Sequence, residues 1–132
     1  LFDRFFHRKR PPLTGAPPVR RLKTYSSQTG FVYQYFYLGH RPSKELGGGT
    51  EFCFDVSVDR KTSVEVAVIV PDAAVKVWEQ AHGRTLIANE RYAVSKMSLF
   101  QAFDERPPDR MTEPILVRPA DLDGIIATLG LD

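Results

Sequence analysis

Between Thr50 and Val70 the chain alternates twice in the same way. Phe52, Phe54, Val56 and Val58 take every second place, with Glu51, Cys53, Asp55 and Ser57 between them. A period of two is the mark of a half-buried strand. After Asp59–Ser63 the pattern returns as Val64, Val66, Val68 and Val70, β-branched residues suited to a pleated surface. Pairing Val58 with Val64 across the Asp59–Ser63 turn sets every apolar residue of both limbs on one face. A slip of one residue would turn one limb's valines to water, so burial sets the parity of the register.

The neighbouring segments are placed around this hairpin. Thr24 to Gly30 reads as a turn leading into a first strand, Phe31 to His40. Pairing Leu38 with Phe52 and Phe36 with Phe54 would add Val32, Phe36 and Leu38 to the valine face. Tyr33, Tyr35 and Tyr37 would then look the other way, beside Cys53, Asp55, Ser57, Glu65, Ala67 and Ile69. Arg41 to Gly49, with Pro42 and three consecutive glycines, reads as a long hairpin loop. Pro71-Asp72 predicts a helix with Asp72 as its cap and Gly83 as its stop, carrying Val75 and Trp78 inward. A second helix is expected from a cap at Thr85 to about Asp104, with Leu86, Ala93, Met97, Phe100 and Phe103 as its apolar stripe. Ile115 to Val117 suits a short edge strand between Pro114 and Pro119. Pro119 then opens a last helix with Leu122, Ile125, Ile126 and Leu129 inward and Gly130 at its end. The expected fold is α+β: a small antiparallel meander of three to four strands with about three helices packed mainly on one face.

Charge divides the chain differently. Residues 1–24 hold seven Lys or Arg against Asp3 alone, a balance of +6, whereas the remainder holds eleven basic against fifteen acidic residues, −4. Pro11, Pro12, Pro17 and Pro18 forbid regular helix in the basic part. Residues 1–24 are therefore expected to form an extended, basic, Pro-rich arm on a single domain spanning 25–132. With 132 residues and 42% hydrophobic content, that domain can hold its own core. A single cysteine excludes an intramolecular disulfide framework and Cys-rich metal sites and fits a reducing compartment, with a cytoplasmic location the expectation. No apolar run is long enough for a membrane-spanning helix. The chain opens on Leu1 rather than Met, so any upstream targeting lies outside what it tells.

Catalytic patterns are poorly represented. Cys53 and His40 fall on neighbouring strands, the minimum for a thiol nucleophile, but no cationic cluster or helix start flanks Cys53 to lower its pKa. His7, His40 and His82 share no ligand spacing. Asp104-Glu105 and Asp121-x-Asp123 fall at helix edges, where negative charge near a helix start is simply favourable. Gly47-Gly48-Gly49 leads into a strand and so lacks the loop-then-helix arrangement that cradles phosphate. Neither enzymatic activity, nor a cofactor, metal or small-molecule substrate, is expected.

Binding is better represented. The stretch Gly30-Phe-Val-Tyr-Gln-Tyr-Phe-Tyr resembles the aromatic strand of RNA-recognition motifs, on which bases stack. It departs from them in having Thr29 before the glycine and in lacking the β-α-β-β-α-β order. Tyrosines beside mixed polar groups suit a protein interface, and phenylalanines among prolines and arginines seek pockets that a phosphate backbone does not offer. The sequence thus predicts a non-catalytic protein-binding module, or accessory subunit of a larger assembly. Its partner, in a hetero-complex or homo-oligomer, would be met by Phe2, Phe5, Phe6, Arg8, Lys9, Arg10, Arg20, Arg21 and Lys23 of the arm and by Tyr33, Tyr35 and Tyr37 of the sheet. The alternative is a nucleic-acid-binding protein whose arm contacts phosphates; docking to a membrane surface is not expected.

Overall fold

The alternating hairpin pairs as a ladder in which Phe52 faces Val68, Phe54 faces Val66 and Val56 faces Val64. In this computed structural model, which describes residues 10–131, the ladder is the centre of a five-stranded sheet in the order β1-β2-β3-β4-β5. The strands are β1 (Lys23–Ser26), β2 (Val32–Ser43), β3 (Gly49–Ser57), β4 (Val64–Pro71) and β5 (Ile115–Leu116). The first four are antiparallel neighbours and β5 lies parallel to β4. Three helices follow: α1 (Asp72–His82), α2 (Ala88–Glu105) and α3 (Pro119–Leu129). The chain is α+β, with five strands where three or four were expected, because Lys23–Ser26 is a strand and only Ser27–Gly30 is the turn.

The hairpin closes two residues earlier than the Val58–Val64 pairing would have it, and the reason is local. The Asp59 carboxylate accepts the N–H groups of Lys61 (2.8 Å) and Thr62 (2.9 Å), and Ser57 Oγ accepts that of Arg60 at 2.9 Å. Arg60 is left-handed, φ 65°. These bonds spend the loop on an Asp-centred turn. They also pull the Asp59 carboxyl down to about 2, the Thr62 and Lys61 amides being the largest causes. A shift of two keeps parity, so Phe52, Phe54, Val56, Val66, Val68 and Val70 remain buried on one face.

On β2 the outcome is reversed. Tyr35 pairs with Val56 and Tyr37 with Phe54, one residue out of step with the expected pairing. The tyrosines therefore face the core, while Val32 and Phe36 look the other way. Tyr33, only 1% exposed, stacks on Phe103 of α2 with ring centroids 4.3 Å apart. Tyr25 of β1 stacks on Phe100 at 4.5 Å, and its hydroxyl donates to Asp104 at 2.7 Å. Flat rings packed this way add to plain area burial. The aromatic side of β2 thus meets the aromatic stripe of α2, whereas Phe36 on the reverse side lies beneath the Arg20 guanidinium, 4.9 Å from its ring.

The helices start and stop for ordinary reasons. Gly83 and Gly130 end α1 and α3 in left-handed conformation, φ 65° and 71°, as the expected stops do. α2 begins at Ala88, three residues beyond the expected cap Thr85. Its first turn is held by Glu90, which accepts the Ile87 N–H at 3.1 Å and both Arg84 Nη groups at 2.9 and 2.8 Å. One continuous core joins Trp78, Leu86, Leu99, Phe103, Leu122 and Ile126 to the sheet.

Two stability measurements check this register. Phe103→Ala is expected to cost about 3–5 kcal/mol in urea unfolding, because a fully buried ring leaves a cavity. Tyr33→Phe is expected to be neutral or slightly stabilising, since the buried Tyr33 hydroxyl has no hydrogen-bond partner among the described residues. A large loss in the second variant would show that the hydroxyl has a partner.

Candidate binding site where the arm meets the sheet

Leu38 is the residue from which the site develops. Tyr37 pairs with Phe54 and Gly39 with Cys53, so Leu38 is an extra residue, a β-bulge. Past it the faces of β2 exchange, and His40, opposite Phe52, joins Tyr37 on the helix side. The two side chains meet there, with Tyr37 Oη 3.1 Å from His40 Nδ1. Burial, followed by the neighbouring Tyr92 and Cys53, raises the Tyr37 pKa far above the ordinary phenol value. Its hydroxyl is therefore protonated at neutral pH.

The arm is seated on this same spot. Thr14 and His40 exchange both backbone hydrogen bonds, Thr14 N–H to His40 O at 2.9 Å and His40 N–H to Thr14 O at 2.8 Å. Two glycines permit the approach. A Cβ at Gly39 (φ 116°) would lie 2.6 Å from the Thr14 carbonyl oxygen, and one at Gly15 (φ 80°) would lie 2.7 Å from the His40 ring. Neither position accepts a side chain without displacing its neighbour. Within the extended arm expected over residues 1–24, Thr14 is joined to the sheet at His40 and Lys23 enters β1.

Between the arm and α2 lies a cleft of about 570 Å³. Gly15 and Pro17 form its arm side, Tyr37, His40 and Phe52 its floor, and Arg91 and Tyr92 its helix side. The walls are aromatic, with Tyr37 and Tyr92 centroids 4.7 Å apart and His40 5.9 Å from Phe52. Arg91 donates through Nε to the Leu86 carbonyl at 3.2 Å, and Nη1 lies 3.8 Å from Asp72 Oδ1.

Further along, the arm presents a different surface. Val19 is 70% and Leu22 59% exposed, and Arg20 and Arg21 between them are also exposed. Lys23 and Lys96 of α2 adjoin, and Lys96 is shifted downward by burial and by contact with Lys23. No carboxylate among the described residues pairs with either lysine or with Arg21.

The expected contact residues now separate. Tyr33 and Tyr35 are buried under α2, which removes them from any partner surface, and Tyr37 survives only as part of the cleft. Arg10 is drawn to Glu51 at 3.3 Å, Arg20 covers Phe36, and Arg21 and Lys23 face outward. Phe2, Phe5, Phe6, Arg8 and Lys9 lie outside the described residues. Arg91 and Tyr92 escaped the sequence reading because no periodic pattern singles them out; Gly39 in mid-strand was the available signal of close backbone approach.

His40 and Cys53 do not meet, because the bulge sends them to opposite faces. Cys53 is fully buried on the reverse side, where its thiol lies 3.5 Å from Glu51 Oε2. Arg41 spans that side, with Nε 2.7 Å from Glu51 and Nη2 3.1 Å from Glu65. Burial first, then the Glu51 and Glu65 charges, push the Cys53 thiol up to about 12, the opposite of an activated nucleophile. Among the described residues no group of three or more His, Cys, Asp or Glu side chains is placed to hold a metal ion, and no helix is long and apolar enough to cross a membrane.

Two measurements test this geometry. Gly15→Ala should raise hydrogen exchange at the Thr14 and His40 amides about tenfold, as expected when a residue with a Cβ is held at positive φ, while the β3–β4 amides keep their protection. Cys53 should resist a thiol-directed reagent at pH 8 in the folded chain and react once denaturant exposes it; rapid native labelling would contradict the burial. Among known proteins no family model, curated sequence or solved structure matches this chain.

Proposed function

We propose that this chain is a non-catalytic protein-binding module, an accessory subunit that docks onto an acidic partner through the outward stretch Val19–Lys23 of its arm. One observation carries the reading: the backbone of this stretch is anchored on both sides, at Thr14–His40 and in β1, while its side chains are exposed. An interface that is ordered before binding loses less entropy on docking. The side chains mix apolar and cationic groups, Val19, Arg20, Arg21, Leu22 and Lys23, with Lys96 adjoining. Apolar anchors supply affinity, and surplus cations select a partner of opposite sign and speed its approach. The high Cys53 pKa supports the non-catalytic part of the reading. Because α2 covers the tyrosine side of β2, the interface does not include that face.

Affinity capture from the native source, with the intact chain as bait, tests this. A specific protein partner should be retained after nuclease treatment, released by high salt, and lost from an Arg21→Glu/Leu22→Ser bait that remains folded, a loss of more than about 1 kcal/mol by the standard of interface hot spots. A partner held equally well by that variant would place the interface elsewhere. Retention that disappears with nuclease, and falls steeply with salt, would instead favour the nucleic-acid reading.

A further inference from the structure

The cleft beneath the arm plays no part in the docking surface above, and its chemistry is distinct. We infer that it is a binding site for a small planar molecule bearing one anionic group, a carboxylate or phosphate on an aromatic body.

Size and lining set the first limit. A volume of about 570 Å³ falls within the ~300–1,000 Å³ of small-molecule sites, which combine mostly apolar walls with a few placed polar groups. Here Tyr37, Phe52, Tyr92 and Leu86 supply the apolar surface. Aromatic walls favour a flat guest, because rings gain most from stacked or edge-to-face contact. The walls are also held in place: Tyr92 packs against Tyr37, Phe52 and Phe54, and His40 is held by its ring contact with Phe52 and its bond to Tyr37.

The polar groups set the sign. None of the residues lining the cleft carries a carboxylate. Arg91 is a permanent cation, and its closest carboxylate, Asp72, lies 3.8 Å away and is largely solvent-exposed. A pair so loose and so wet holds the guanidinium weakly. Its Nε is occupied by the Leu86 carbonyl, which pins the group at the cleft, while Nη1 is met only by that loose contact with Asp72. Tyr37 Oη and His40 Nδ1 share a hydrogen bond beside it at 3.1 Å. Arg91 therefore supplies the cleft's fixed positive charge, with N–H donors that never titrate. A cation whose carboxylate contact is long and solvent-exposed, set in an aromatic cleft, complements a guest with an anionic end and a flat apolar body.

The inference is tested with 2-naphthoate and its neutral counterpart 2-naphthylmethanol as probes, titrated into the full chain by isothermal calorimetry and by amide chemical-shift mapping. The carboxylate should bind at least about tenfold more tightly than the alcohol and shift the amides of Gly15, His40, Ala88 and Arg91. Arg91→Gln should erase the preference, whereas Arg110→Gln, a remote exposed arginine paired with Glu113, should leave it intact. Equal affinity for the two probes, unchanged carboxylate binding in Arg91→Gln, or no saturation by either probe at millimolar concentration would overturn the inference. If Arg91→Gln does not fold, the two-probe comparison and the shift map on the unmodified chain still decide it. None of these results depends on the capture experiment, so the docking surface and the cleft stand or fall separately.

Discussion

The pairing of β2 with β3 decides which side of β2 is dry, and most of the molecule follows from that choice. Tyr35 opposite Val56 and Tyr37 opposite Phe54 bring Tyr33 and Tyr35 against Phe100 and Phe103 of α2, and Tyr37 against Tyr92. One residue of slip would exchange those rings for Val32, Phe36 and Leu38, a set with a single aromatic ring. Burial of large side chains is the main favourable term in a domain of this size, and the aromatic set offers more of it. The same ladder then breaks at Leu38, and that break, rather than any loop, brings Tyr37, His40 and the arm together.

How legible this was in the sequence differed from strand to strand, for a physical reason. In β3 the second set is Glu51, Cys53, Asp55 and Ser57, so Phe52 and Phe54 could face only one way, and β4 follows through the hairpin that joins it to β3. In β2 both sets are apolar or aromatic, and alternation alone does not separate them. β1 was missed because Lys-Thr-Tyr-Ser contains a single large ring, Tyr25, and is held in place by a neighbour rather than by its own pattern. Helix ends were readable because Gly83 and Gly130 announce left-handed stops in the residue type itself. The cleft was not readable: it needs the extra residue at Leu38 and the long-range meeting of Gly15 with His40, and neither leaves a periodic trace. Gly39 within an aromatic strand was the nearest thing to a clue.

The two faces of the sheet are maintained by different forces. The helix side is an apolar and aromatic core. On the reverse side Arg41 joins Glu51 and Glu65, with Arg10 drawn in from the arm. Arg41 and Glu51 are largely withdrawn from water, and such a pair specifies an arrangement more reliably than it adds net stability. Here the arrangement specified is the path of the arm: Arg10 reaches Glu51, and Arg41 Nη1 reaches the Pro11 carbonyl at 3.5 Å. Ionic contacts on one side and the Thr14–His40 bonds at the edge thus guide a Pro-rich segment that has little local structure of its own.

The short outer strands have a consequence of their own. β1 offers four residues and β5 only two, and prolines stand just beyond β5 on either side, at Pro114 and Pro119. β1 covers only Val32–Tyr35 of β2 and β5 pairs only with Val68 and Ile69 of β4, so much of each longer strand's outer edge is left for another segment to meet. The Thr14–His40 bridge fills one place on that open β2 border, where a stray chain would otherwise find free amides to zip onto.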